Sequence, residues 1–162
     1  MARLRVMSVA VRSHVIAYAF FIGDRLEYWG SSNKAAKSPE HALPVVKAWM
    51  AKLRPQVMVT ERIGQDTRKK PRTISVIEAI TQLAVDAPLN DIVVPRVRQF
   101  TNRYEEAEAV AERFPAVAHL VPKKPRIWES APPRLIYFEA IVLGLGVVSS
   151  QELNGNRPLF AA

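Results

Sequence analysis

The chain has 162 residues, a length typical of one domain that buries its own core without disulfide bonds or structural metal. It contains no cysteine, which excludes disulfide bonds and thiolate metal sites. Its 23 Lys and Arg residues outnumber its 15 Asp and Glu residues, and the resulting formal net charge of +8 favours a polyanionic partner such as nucleic acid.

The absence of cysteine fits a reducing compartment, and we expect a cytoplasmic protein. The basic N-terminus does not predict a signal peptide, because residues 12–14 (Arg-Ser-His) interrupt the apolar segment that follows it. The apolar segment 136–148 contains Glu139 and is shorter than the roughly 20 residues of a membrane-spanning helix. It therefore predicts a buried helix, and we expect no membrane partner.

The first predicted elements are three strands. Residues 4–21 form two apolar segments on either side of a polar tip at residues 12–14, which predicts a buried hairpin. A third segment rich in strand formers, residues 26–29, follows the turn signal Gly23-Asp24. The chain is thus predicted to begin with an antiparallel meander.

Helices and strands alternate after the meander. The polar segment beginning at Ser31 predicts a loop, which ends where Ser38 caps a helix that starts at Pro39. Proline and glycine residues then separate the later elements. The further predicted elements are a helix to residue 53, a strand at 57–61, a helix at 73–86, a strand at 91–97, a helix that begins after the cap at 102 and ends at 114, and a helix from 134 to about 145.

This order predicts an α/β fold with a mixed five-stranded sheet and flanking helices. We expect residues 1–148 to form a single domain. The last segment, residues 149–162, has turn residues and no hydrophobic period, so it predicts a loosely ordered C-terminal tail.

Basic residues concentrate in two segments, while four of the acids lie together on one predicted helix between residues 105 and 112. A single basic segment is as often a solvated loop as a binding site. Two such segments together with the net charge favour nucleic-acid binding. The predicted nucleic-acid-binding residues are Arg62, Arg68, Lys69, Lys70 and Arg72 in the first segment and Lys123, Lys124 and Arg126 in the second.

Four segments, in this order, resemble the RuvC-type Holliday-junction resolvases of the ribonuclease H-like superfamily. They are the hairpin at residues 9–19 (VAVRSHVIAYA), the strand at 57–61 (VMVTE), the polar turn into a helix at 97–107 (VRQFTNRYEEA) and the closing helix region at 128–140, with Trp-Glu at its start and Phe-Glu-Ala at its end. None of these motifs is specific alone, and their order carries the resemblance. It implies a ribonuclease H-like fold.

The resemblance also implies a site. Such enzymes use a cluster of carboxylates to hold two Mg²⁺ ions for phosphodiester hydrolysis. The first-strand Asp of the family falls on Ala10, the fourth-strand Glu on Glu61 and the helix Asp on Glu139, while Ile136 stands where relatives often have another Asp. The resemblance thus implies residual catalytic and metal-ligating roles for Glu61 and Glu139, with Mg²⁺ as cofactor if the protein is active.

Both acids also have a structural interpretation. Glu61 can be a strand-end acid paired with Arg62 or with a loop lysine. Glu139 lies on an apolar helix, where a carboxylate requires a partner, so it can equally belong to an ion pair. Glu129, ahead of the last helix, is the only further candidate to replace the missing Asp.

Three functions follow as expectations. The first is a RuvC-like nucleic-acid-binding protein, for branched or structured DNA, whose two-metal nuclease centre is lost or weakened. The second is an active, divergent, structure-selective endodeoxyribonuclease that uses Mg²⁺. The third is a non-enzymatic dimeric scaffold, since family members commonly form homodimers.

Overall fold

A computed structural model describes residues 3–64, 67–94, 102–123 and 134–151. Five strands form one mixed sheet in the order β3-β2-β1-β4-β5, and four helices flank it, which confirms the predicted α/β architecture. The strands are β1 (Arg5–Val11), β2 (Ile16–Ile22), β3 (Arg25–Ser32), β4 (Val57–Glu61) and β5 (Asn90–Val94), and the helices are α1 (Pro39–Leu53), α2 (Pro71–Asp86), α3 (Arg103–Arg113) and α4 (Leu135–Gln151).

The predicted meander is present. β1 and β2 pair antiparallel with Ala10 opposite Ala17, and β3 continues the sheet beyond β2. Gly23 makes the turn between β2 and β3 with a φ of +64°, a left-handed conformation that glycine adopts without steric cost. β1 lies in the middle of the sheet, between β2 and β4, and so it is buried on both faces.

β1, β4 and β5 run parallel to one another. Parallel neighbours require crossover connections, and α1 and α2 provide them. α1 begins as predicted, because the Ser38 side chain accepts a hydrogen bond from the backbone N–H of His41. It ends at Arg54, which adopts the left-handed conformation with a φ of 49° and donates its N–H to the Met50 carbonyl.

The strand alternation of β1 divides the core into two layers. Val6, Ser8 and Ala10 face the cluster that contains α3 and α4, whereas Met7 and Val9 face the cluster that contains α1 and α2. The Ser8 hydroxyl donates a hydrogen bond to the carbonyl of Ala140, which fixes α4 against the centre of the sheet.

The structure departs from the predicted elements in several places. The predicted loop after β3 contains a 3₁₀ turn at Lys34–Lys37, because Ala35 and Ala36 are buried beneath α1. α2 starts at Pro71, before the predicted residue 73. α4 continues to Gln151, past the predicted end near residue 145, because its apolar residues stay in the core as far as Val148.

Several predictions fall on residues outside the described ranges. These are the end of the fifth strand after Val94, the second basic segment at Lys124 and Arg126, the alternative acid Glu129, and the C-terminal tail from residue 152. Within the described ranges, no helix is long and apolar enough to cross a membrane.

Candidate functional site

The positions that the resemblance selects lie together at the carboxyl ends of β1 and β4. These strands are parallel neighbours, with Val9 opposite Thr60, so Ala10 and Glu61 are the next residues on each strand. Both side chains project toward α4, because Val59 and Ala10 belong to the α4 layer of the core and side chains alternate along a strand. Glu139 reaches the same face from α4. In open α/β sheets, ligands commonly bind at this edge of parallel strands.

Two of the four positions belong to the hydrophobic core. Ala10 is 3% exposed and Ile136 is 1% exposed, and both lie in the α4 layer. Neither side chain has an atom that can coordinate a cation. The site therefore has a hydrophobic floor where the resemblance would place acids.

Glu139 is paired with an arginine from the hairpin. It is a buried residue at 6% exposure, and Arg12 Nη2 lies 2.9 Å from its Oε1. Arg12 follows Ala10 by two residues and so projects to the same face of the sheet. Its backbone N–H donates to the Val15 carbonyl at 2.8 Å, which holds it at the start of the hairpin turn. A buried carboxylate needs such a neutralising partner.

Glu61 is paired with a lysine from the basic segment. Lys69 Nζ lies 3.3 Å from Glu61 Oε2 and donates a hydrogen bond to the Val11 carbonyl at 3.1 Å. Arg72 Nη2 adds a longer contact of 3.4 Å to the Ser13 carbonyl. Lys69, near the end of the segment between β4 and α2, and Arg72, in the first turn of α2, are thus attached to the first hairpin, although they are far from it in sequence.

The two ion pairs converge on consecutive residues of the first hairpin. Lys69 bonds the carbonyl of Val11, and Arg12 supplies the partner of Glu139. Within the described ranges, Lys69 offsets the charge of Glu61 and Arg12 offsets the charge of Glu139.

This arrangement does not fit a two-magnesium centre. Mg²⁺ requires hard oxygen ligands in near-octahedral geometry, and two such ions need several converging carboxylates. In the described part of the chain, no group of three or more His, Asp or Glu residues is placed to hold a metal ion. The two acids that remain have protein cations as neighbours.

The other basic residues of the first segment surround this site. They are exposed to solvent, and within the described ranges none of them is paired with an acid. Lys123 is also exposed, whereas Lys124 and Arg126 lie outside the described residues. The exposed cations of the first segment are Arg62, Arg68, Lys70 and Arg72.

Sequence reasoning missed the role of Arg12, which it assigned only to the polar tip of the hairpin. The signal was nevertheless available. A period of two from Ala10 places Arg12 on the face that carries Ala10, and an arginine on that face can reach an acid on the packed helix. For Lys69, sequence reasoning anticipated a loop lysine as one possible partner of Glu61, and the structure shows that pairing.

Similar proteins are found by structure and not by sequence. No protein-family model matches the chain, and no curated protein is similar to it. The Holliday junction resolvase of fowlpox virus has a TM-score of 0.60 and 16% identity, over 91% of this chain and 99% of the viral one. RuvC of Thermus thermophilus, in complex with a Holliday junction substrate, has a TM-score of 0.57 and 12% identity, over 93% of this chain and 96% of RuvC.

Both similarities extend over nearly the whole of each chain, and they agree with the strand order and flanking helices described above. At identities this low they establish the fold and leave the activity to be argued from the site. The chain therefore has the ribonuclease H-like α/β fold in the form found in RuvC-like Holliday junction resolvases.

Proposed function

We propose that this protein binds branched DNA at the carboxyl ends of β1 and β4 and does not cleave it by a two-metal mechanism. The observation that carries the proposal is the pairing of Glu61 with Lys69 and of Glu139 with Arg12. Metal-dependent hydrolysis needs carboxylates that are available to divalent ions, and here both are engaged by cations of the protein.

The binding half of the proposal rests on charge and on the fold. The net charge is +8, and four exposed cations lie on the first basic segment, which Lys69 attaches to the first hairpin. Basic side chains of this kind bind phosphates without reading sequence. Two structures of the same fold are complexes with Holliday junction DNA, which supports a junction as the ligand.

The absence of an acid at position 10 supports the second half of the proposal, that the protein does not cleave DNA by a two-metal mechanism. In the RuvC-type family that the sequence resembles, the first-strand Asp is a central metal ligand. Here the buried methyl group of Ala10 occupies that position. Magnesium as the cofactor if the protein is active, a homodimer and a cytoplasmic location remain predictions from the sequence.

Fluorescence anisotropy with a labelled four-way junction tests binding. We expect the junction to bind more tightly than a duplex of the same sequence, and the affinity of both to fall steeply between about 50 and 200 mM salt. The double variant Arg68→Gln with Lys70→Gln should weaken junction binding. It should also lower the salt slope, the slope of log affinity against log salt concentration, by about two, because about two phosphate contacts are lost.

Lys52→Gln is the matched control, because Lys52 is an exposed cation near the end of α1. The end of α1 leads into the amino end of β4, away from the carboxyl ends of the strands. It should leave the affinity unchanged. If the protein binds neither DNA at the lowest salt, the proposal is wrong, and a dimer by light scattering would then favour the scaffold function.

Incubation of the same junction with Mg²⁺ or Mn²⁺ tests cleavage. We expect the junction to remain intact. Cleavage that is abolished by Glu61→Gln would show an active endodeoxyribonuclease and overturn the second half of the proposal.

A further inference from the structure

We propose that Arg12 and Lys69 form a phosphate-binding subsite, in which these two cations contact a DNA phosphate while they neutralise Glu139 and Glu61. The inference rests on the proposed DNA binding and adds a location to it. The subsite lies at the carboxyl ends of β1 and β4, where Lys69 bonds the Val11 carbonyl and the next residue, Arg12, pairs with Glu139.

Both cations retain hydrogen-bond donors for a ligand. A lysine ammonium group has three donors, and Lys69 donates one of them to the Val11 carbonyl while its Nζ forms an ion pair with Glu61 Oε2. An arginine has five N–H donors, and the contact of Arg12 with Glu139 is made through Nη2. A phosphate oxygen can therefore bind each cation without breaking its ion pair.

The cations face the solvent more than the acids do. The side chain of Lys69 is 25% exposed and that of Glu61 is 11% exposed. The Arg12 side chain is 19% exposed, against 7% for Glu139. In both pairs the cation is therefore more accessible to an approaching anion than the acid is.

The surroundings favour an anion for two further reasons. Ala10 places a methyl group in the floor of the site, so no third carboxylate repels a phosphate there. The exposed residues Arg62, Lys70 and Arg72 lie on the segment attached by Lys69, and their positive field attracts a nucleic-acid backbone toward it.

Ion pairs that only stabilise the fold and ion pairs that also bind phosphate predict different effects of substitutions on DNA affinity. If the pairs are purely structural, removal of either partner changes stability and leaves DNA affinity unchanged. If Lys69 contacts a phosphate, removal of Lys69 weakens binding, whereas removal of the Glu61 charge strengthens it, because the carboxylate no longer opposes the phosphate.

The test measures the junction affinity of Lys69→Gln and Glu61→Gln over a salt series, with thermal unfolding as a check of folding. We expect Lys69→Gln to weaken binding about tenfold and to lower the salt slope by about one. We expect Glu61→Gln to strengthen binding about threefold, the effect of one charge about 6 Å from a phosphate in water.

Arg12→Gln leaves a buried acid without its cation, so the double variant Arg12→Gln with Glu139→Gln tests the second pair in a neutral form. It should also lower the salt slope by about one. Wild-type affinity in both Lys69→Gln and the double variant, together with weaker binding by Arg68→Gln with Lys70→Gln, would refute the subsite and leave the proposed function standing. An absence of binding by the wild-type protein would refute both.

Discussion

Replacement of Arg12 by methionine removes the cation beside a buried acid. Glu139 is 6% exposed and contacts Arg12 at 2.9 Å, so Arg12→Met leaves a carboxylate in the α4 layer of the core without this cation. Loss of one partner of a buried pair costs roughly 3 to 5 kcal/mol. Because the Arg12 side chain is itself 19% exposed, water partly replaces it, and we expect the lower end, about 3 kcal/mol.

Urea denaturation at neutral pH measures this loss, and for a chain of this length it corresponds to a decrease in Tm of about 6 to 12 °C. The double variant Arg12→Met with Glu139→Met replaces the whole pair by apolar side chains of similar length. It should recover most of the stability, since replacement of both partners of a buried pair is often neutral. A loss below about 1 kcal/mol for the single variant would contradict the assignment of Arg12 as the partner that Glu139 needs.

Three further predictions test other parts of the structure. Gly144→Ala should cost about 1 to 3 kcal/mol by thermal unfolding, because its methyl group would overlap the Phe21 ring, whereas Gly146→Ala, which meets nothing within 4 Å, should cost nothing. Burial raises the pKa of Tyr18 above its usual value of 10.0, so the folded chain holds this proton to a higher pH than the unfolded chain does. The protonated Tyr18 side chain therefore contributes stability that is present below pH 10 and is lost as the pH rises above it. Between about pH 9 and about pH 11, the free energy of unfolding in urea should fall less for Tyr18→Phe than for the wild type. Ala10→Asp should lower stability and create no Mg²⁺ affinity by calorimetry, because it buries a third carboxylate at a site that is 3% exposed.

Local patterns in the sequence were sufficient to predict most of the fold. The alternation along β1 and β2 predicts the hairpin, and Ser38 and Asn102 predict helix starts, because their side chains accept the backbone N–H groups of the first turn. The end of α4 could not be predicted in this way. An apolar helix with no capping residue gives no local stop signal, and its length depends on packing against β1 and β2.

The candidate site was predictable only in part. The sequence singled out Glu61 and Glu139 through a resemblance, but it could not show which cations they contact. The hydrogen bond between Lys69 and the Val11 carbonyl joins residues separated by 58 positions, and only the parallel pairing of β1 with β4 brings them together. Such contacts depend on the whole sheet and have no signature in a local window.

The two positions that lack an acid and the two cations beside the remaining acids make a single electrostatic argument. A centre with four carboxylates repels itself and becomes stable when divalent cations bind. With Ala10 and Ile136 in two of the positions, acids remain in the other two, and in the described part of the chain Arg12 lies beside Glu139 and Lys69 beside Glu61. Divalent ions would then have to displace a guanidinium that is held beside a buried acid and an ammonium that also bonds the Val11 carbonyl. Restoration of one acid leaves both displacements still to be made, so the proposed lack of a two-metal centre depends on the hairpin, the basic segment and α4 together.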